Sequence, residues 1–172
     1  ILNWNSKENT LECLDSLERL TYPKDRIGIF VTDNGSKDDS VAVLRERLDT
    51  MKSQGWRDLE LVENGENLGF ARGNNAGYAE VPPEYDLIHL SNDDIVFYED
   101  CFEQIVEVFR ANPEAGVVGA KVLTYDTPHV LSHGAGYVRS LLLGTRSVDA
   151  ASCTPCDFVT GCALCVRKDV VE

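Results

Sequence analysis

Short apolar runs that alternate with stretches of helical periodicity constrain this chain more than any other feature. They form a βαβ pattern, which points to an α/β fold with a sheet of mostly parallel strands flanked by helices. Residues 1–4, 27–32, 59–62 and 86–90 read as strands. Between them, Leu11, Leu14, Leu17 and Leu20 recur every three residues and are closed off by Tyr22-Pro23. Val41, Leu44, Leu48 and Met51 form a second helical face, with Ser36-x-x-Asp39 ahead of it resembling a capping box. Phe102, Ile105, Val106 and Phe109 form a third face, stopped by Asn112-Pro113. Strands are also expected at 117–123 and 158–166, and residues 124–154 show no clear period. With 172 residues the chain fits one domain, or most of a larger one.

Charge and composition narrow the function classes. Sixteen Lys and Arg stand against 29 Asp and Glu, a net of −13. Such a surface disfavours the nucleic-acid backbone, where affinity comes from cations neutralising phosphates, so no nucleic-acid partner is expected. Small anionic ligands remain open to it, through a metal ion or backbone N–H groups. The chain is 43% hydrophobic and 26% charged, a globular composition. No apolar run approaches the roughly 20 residues of a transmembrane helix. The sequence opens mid-pattern at Ile1-Leu2 without a Met, so part of the N-terminus is expected to lie upstream.

Six cysteines are too few for a disulfide scaffold. Cys13 and Cys101 fall in helical patterns and read as small buried hydrophobes. Cys153-x-x-Cys156 and Cys162-x-x-Cys165 invite a zinc reading, which two arguments oppose. The five-residue gap is short for a zinc ribbon, and a strand at 158–166 would send Cys162 and Cys165 to opposite faces. A mostly buried pair and a loop pair is expected instead. His89, His129 and His133 have no ligand spacing and read as structural; His133, beside Gly134 in a loop, is the one to watch.

Polar motifs collect where strands end, the edge at which open α/β sheets bind ligands. Asp33-Asn34-Gly35-Ser36 is either a plain strand-to-helix turn capped by Ser36, or a loop whose Asp33 accepts hydrogen bonds from a base or ribose. Gly69, Gly73 and Gly77 match neither the dinucleotide fingerprint nor the phosphate loop. They suit a helix packed closely on the sheet, or, with Arg72, Asn74 and Asn75 beside them, close approach to a pyrophosphate. Asn92-Asp93-Asp94 follows an apolar strand and is either a solvated turn or a place to hold a hard divalent cation against a diphosphate.

In order along the chain stand Asn3-Trp4-Asn5, Leu11-x-Cys13-Leu14-x-Ser16-Leu17, Asp33-Asn34-Gly35-Ser36, Asn67-Leu68-Gly69-Phe70-Ala71-x-Gly73-Asn74-Asn75-x-Gly77, Asn92-Asp93-Asp94, Val118-Gly119 and Val159-Thr160-Gly161-Cys162-Ala163. Together they resemble a family 2 glycosyltransferase of the rhamnosyltransferase-like branch, with the GT-A fold. The resemblance covers nearly the whole chain and is weakest between 124 and 155. It implies inverting transfer of a sugar from a nucleotide-diphosphate donor to a glycan or lipid-linked saccharide acceptor, with Mn2+ or Mg2+ at a D-x-D-like motif. Carried across, Asp33 contacts the nucleoside, and Asn3, Asn67, Gly69, Asn74, Asn92 and Asp93 line the nucleotide-sugar site. Asp94 is the metal ligand. Residues 1–123 form the donor part and 124–172 the start of an incomplete acceptor part, within a single domain. The resemblance also implies cytoplasmic work, at the inner face of the membrane, in cell-wall or polysaccharide synthesis.

Two departures from the family pattern matter. Asn92 replaces the first acid of the D-x-D-like motif, and no residue matches the acidic motif that supplies the general base, so no catalytic base is named. The sequence is expected to be a fragment of the donor-binding half, C-terminally truncated. Two other readings share the features: a sugar-nucleotide-forming nucleotidyltransferase, and a non-catalytic glycan- or partner-binding domain on a transferase fold. The first should carry a glycine-rich, Arg/Lys-bearing signature near its N-terminal strand, and none is visible. A zinc-stabilised module is a third.

Overall fold

A computed structural model of the chain describes residues 1–127, 131–139, 144–148 and 153–171. The chain divides into two compact units, Ile1–Tyr85 with Ser91–Gln104, and Asp86–Leu90 with Ile105–Glu172. The expected donor part, residues 1–123, is shared between them.

The first unit follows the βαβ pattern. Its elements run β1 (Leu2–Asn3), α1 (Lys7–Glu18), β2 (Gly28–Asp33), α2 (Ser40–Met51), β3 (Asp58–Glu63) and α3 (Gly69–Ala79). The three strands form one sheet, ordered β1-β2-β3, with both pairings parallel. Asn3 lies opposite Asp33, and Asp33 opposite Glu63, so the carboxyl ends of the strands come level. A parallel bridge between Leu2 and Asn92 brings the 92–94 turn to the same edge, on the far side of β1.

The periodicities explain the packing. In α1 the buried positions Thr10, Cys13, Leu14 and Leu17 sit at i, i+3, i+4 and i+7, one stripe of a helix. The helix ends at Glu18, short of the expected Leu20, which is still buried in the turn that follows. In α2, Ser40, Leu44, Leu48 and Met51 form the buried face. Both stripes close on Ile29 and Val31 of β2, with Trp56 and Phe97 completing the core. Burial pushes the Cys13 thiol up to about 12, which makes it an inert hydrophobe.

Side chains alternate across a strand, so Thr32 faces away from the core that holds Val31. On that opposite side lies α3, with its glycines inward. A Cβ on Gly73 would come 2.8 Å from Leu2 Cδ1, and one on Gly77 would collide with Thr32 Oγ1. The stripe is therefore a close-packing surface against β1 and β2, the first of its two sequence readings.

The remaining elements are β4 (Leu87–Ser91), α4 (Cys101–Ala111), β5 (Val117–Gly119), β6 (Val122–Leu123), β7 (Leu131–His133), β8 (Ala135–Arg139), β9 (Gly144–Val148), β10 (Phe158–Val159), β11 (Ala163–Arg167) and α5 (Lys168–Val171). They assemble as sheets ordered β4-β11-β5 and β10-β8-β9, with β6 and β7 as a two-stranded ribbon. Arg167 anchors the end of α4, donating to Phe109 O at 3.0 Å and to Ala115 O at 2.8 Å.

Two expected strands are each broken. The 117–123 run splits because β5 pairs with β11 while β6 pairs with β7. The 158–166 run splits at a turn over Gly161-Cys162, since β10 pairs with β8 and β11 with β5. Cys162 and Cys165 therefore do not alternate on one strand as expected: Cys162 sits in the turn and Cys165 is buried on β11. Cys153 and Cys156 lie in a loop, and none of the six cysteines is in a disulfide. His89 is half-buried on β4, His133 ends β7, and His129 lies outside the described residues.

Candidate functional site

Asp33 is the centre of the polar edge. It ends β2 with only 2% of its surface exposed, which an unpaired carboxylate could not tolerate. Its Oδ1 accepts from Asn3 Nδ2 at 2.8 Å, and its Oδ2 accepts from the backbone N–H of Gly35 at 3.1 Å and Ser36 at 3.0 Å. A carboxylate has about four acceptor positions, so these three bonds leave one for a ligand N–H or O–H.

The loop after β1 is laced to the loop after β2. Asn3, fully buried, donates to both Asp33 and Ser36 Oγ while its Oδ1 accepts from Thr10 Oγ1 at 2.9 Å. Its amide is thus committed inside the protein, and Asn3 positions Asp33 rather than offering itself to a ligand. Asn5, at a φ of 50°, donates its backbone N–H to Ser36 Oγ and accepts from Lys37 N at 2.7 Å. Ser36 is therefore occupied with the β1 loop and does not cap α2. Asp39 takes the N-cap position without a side-chain capping bond, its carboxylate pairing with Lys7 instead, and Asp38 Oδ1 accepts the Ser40 N–H at 3.0 Å. The expected capping box is replaced by a loop-to-loop tie, because Asn3 and Asn5 supply Ser36 with nearer partners.

On the other side, Asn34 joins this loop to the one after β3. Its Nδ2 donates to Asn67 Oδ1 at 3.0 Å, and its Oδ1 accepts from Asn64 Nδ2 and Leu68 N, each at 3.1 Å. Sequence reasoning passed over Asn34 as turn chemistry. Asn67 is exposed and its Oδ1 also accepts the Gly69 N–H at 2.8 Å, while Gly69 opens α3 at a φ of +76°. Asn74 Nδ2 donates back to Phe70 O at 2.9 Å, four residues earlier on α3, which leaves its Oδ1 for other partners.

The 92–94 turn completes the edge. Asn92 is half-buried at the bridge to Leu2, and Asp94 is exposed. Burial pushes the Asp93 carboxyl above the usual carboxylate range, against a Ser6 hydroxyl that hydrogen-bonds to it. Among the described residues no group of three or more His, Cys, Asp or Glu is placed to hold a metal ion. Any cation here would draw one or two oxygens from Asp94 and Asp93 and the rest from a ligand and water. That donor set fits a hard divalent cation shared with a diphosphate.

Trp4 stands between Asn3 and Asn5. It is 53% exposed, whereas the other tryptophan, Trp56, is in the core under Lys24. A cleft of about 320 Å³ lies elsewhere, lined by Phe30, Glu60 and Glu80 among others, and none of the expected site residues lines it.

With this geometry in hand, known proteins resemble the chain consistently. Glycosyltransferase AglE of Haloferax volcanii is 31% identical over 74 residues, 43% of this chain and 23% of AglE. Mannosyltransferase PcManGT from Pyrobaculum calidifontis, solved in complex with GDP-Man and Mn2+, superposes with a TM-score of 0.73 at 18% identity. That match covers 99% of this chain and 44% of PcManGT. S. aureus TarS 1–349, in complex with UDP-GlcNAc, gives a TM-score of 0.60 at 16% identity over 70% of this chain and 32% of that one. The chain thus spans less than half the length of each of these relatives, and the structural likeness establishes the GT-A-type fold. The family model for glycosyl transferase family 2 matches residues 1–172, the full sequence, and the chain belongs to that family.

Proposed function

We propose that this chain forms the donor-binding platform of an inverting glycosyltransferase. The donor is a nucleotide-diphosphate sugar, and the acceptor a glycan or lipid-linked saccharide. The observation that carries the reading is Asp33: a buried carboxylate, held by three internal donors, with one acceptor position left at the carboxyl edge of a parallel sheet. Asp33 takes an N–H of the base or a ribose hydroxyl. Trp4, next in sequence to Asn3, offers an exposed indole, a stacking surface suited to a base. Asn67, Gly69 and Asn74 line the sugar and diphosphate side. PcManGT binds GDP-Man and TarS binds UDP-GlcNAc, which supports a sugar nucleotide here without choosing the base.

Asp94, with Asp93 beside it, would hold Mn2+ or Mg2+, and the Mn2+ of PcManGT supports that choice. Such a cation, when bound, offsets the charge of the departing diphosphate. In the transfer an acceptor hydroxyl attacks the anomeric carbon as the bond to the diphosphate breaks, and the hydroxyl proton goes to a general base. We assign no residue of this chain to that proton. The order of the motifs favours the rhamnosyltransferase-like branch, with the transfer on the cytoplasmic side of a membrane carrying the acceptor, in cell-wall or polysaccharide synthesis.

Tryptophan fluorescence tests the reading. Titration with GDP, UDP and dTDP in the presence of Mn2+ should quench emission for at least one nucleotide. Trp4→Phe should abolish the change, since Trp56 is buried. Quenching that persists in Trp4→Phe would remove Trp4 from the site. No response in wild type, with no binding by calorimetry either, would refute the donor reading and favour a non-catalytic glycan-binding domain.

A further inference from the structure

We propose that Asn34 is a positioning residue: its side chain locks the 64–69 loop onto the Asp33 loop, so that the donor meets one preformed surface rather than two independent segments. The inference rests on the donor reading above for its functional consequence, and on geometry alone for the lock itself.

Three independent observations support it. The first is the bonding of one amide. Asn34 is 3% exposed, its Nδ2 donates to Asn67 Oδ1 at 3.0 Å, and its Oδ1 accepts from both Asn64 Nδ2 and Leu68 N at 3.1 Å. A longer contact, 3.5 Å, reaches Gly69 O. Both ends of the amide thus face one loop, and every bond crosses at least 30 positions of sequence. The second is backbone proximity: a Cβ on the neighbouring Gly35 would lie 2.5 Å from both Cα and C of Glu66. The loops therefore touch main chain to main chain. The third is the seat of α3, where a Cβ on Gly73 would come 3.1 Å from Asn34 Oδ1. The helix that begins at Gly69 is packed directly over the amide.

The consequence follows from the bonds that would survive without Asn34. The backbone bond from Asn64 N to Asp33 O, 2.9 Å, pins only the root of the loop. Asn67 and Gly69 lie beyond it and would lose their bonds to the Asp33 loop, keeping their own mutual bond and the packing of Glu66 and α3. A loop free to leave its bound shape weakens a ligand in proportion to the fraction of time it is away. Asparagine suits the position because it both donates and accepts within one buried group, which neither Ala nor Leu can do.

The test uses Asn34→Ala and the milder Asn64→Ala, which removes one partner and leaves Asn34 in place. Amide hydrogen exchange is followed at Leu68 and Gly69 without ligand, and GDP and UDP binding with Mn2+ is followed by stopped flow. The lock predicts faster exchange at both amides, on the order of 10-fold in Asn34→Ala and less in Asn64→Ala. Gly69 is the stringent reporter, because its own acceptor, Asn67 Oδ1, is retained. Nucleotide affinity should fall by the fraction of time the loop is away, through slower association at an unchanged dissociation rate. A residue that merely supports the fold would lower melting temperature and leave exchange at Gly69 and affinity of the folded protein at wild-type values. That result, in both variants, would overturn the proposal. If Asn34→Ala does not fold, unchanged Gly69 exchange in Asn64→Ala overturns it alone. Wild-type protein that binds neither nucleotide would refute the donor reading, while exchange at Gly69 would still decide the lock.

Discussion

Gly35→Ala offers a worked test of how tightly the loops at the sheet edge are joined. Gly35 has a φ of +77°, in the left-handed region, where a residue with a Cβ costs about 1–2 kcal/mol. The new methyl would also lie 2.5 Å from Glu66 Cα and C, and this is backbone that cannot swing aside like a side-chain tip. Overpacking of that kind adds roughly 1–3 kcal/mol, for a total of roughly 2–5 kcal/mol. Gly55 supplies the control, with a φ of +87° and nothing within 4 Å of an added Cβ. Gly55→Ala should therefore show the backbone cost alone, about 1–2 kcal/mol. Urea denaturation of both variants, compared at a common m-value, reads the difference as the contact between the two loops. Hydrogen exchange at Ser36 should rise as well, since displacing Gly35 disturbs the Asp33 Oδ2 pair of bonds. If the two variants lose the same stability to within about 0.5 kcal/mol, the Glu66 backbone is not packed against Gly35 and the reasoning fails.

Other substitutions test separate parts of the account. Asn3→Leu should cost roughly 2–4 kcal/mol by leaving Asp33 Oδ1 without its donor in a buried site, measured by chemical denaturation; a loss under about 1 kcal/mol would contradict the brace. Gly77→Ala should destabilise by about 1–3 kcal/mol through its collision with Thr32 Oγ1, and Thr32→Ala should reverse the sign because Ala favours the helix over Gly. Additive behaviour in that double-mutant cycle would show that α3 does not rest on Thr32. Burial holds the His89 imidazole down to about 4, below its ordinary value of 6.5, so the folded chain resists the proton that the unfolded chain accepts. This depressed group costs nothing above about pH 7 and lowers stability as pH falls from about 6.5 towards 4, by about 2 kcal/mol at about pH 5. His89→Gln should flatten that part of the profile, and an unchanged slope would rule His89 out as its source.

Periodicity made most of the first unit readable. Apolar spacing in α1 and α2 follows from two stripes closing on one sheet face, and that spacing is local in sequence. Strands β5, β6, β10 and β11 were harder, because each apolar run holds two short strands that pair with different partners. Pairing of that kind is set by distant residues, and only Gly161 marked a break. At the site, residue types and their place at the sheet edge were legible, since clusters of Asn, Asp and Gly follow the apolar strands. Their division of labour was not. Asn3 is committed to bracing Asp33, Ser36 to the β1 loop, and Asn34 to the β3 loop. These bonds span about 30 residues, and no local spacing announces which amide meets which.

The central claim is that the Asp33 edge binds a sugar nucleotide with help from Asp94. Calorimetric titration of UDP, GDP and dTDP, with and without Mn2+, on wild type and Asp94→Ala addresses it directly. The account predicts metal-dependent binding of at least one nucleotide to wild type, lost or weakened by at least about 10-fold in Asp94→Ala. Binding that is equally tight in Asp94→Ala would remove Asp94 from the site, and no binding of any nucleotide to folded wild type would contradict the account as a whole.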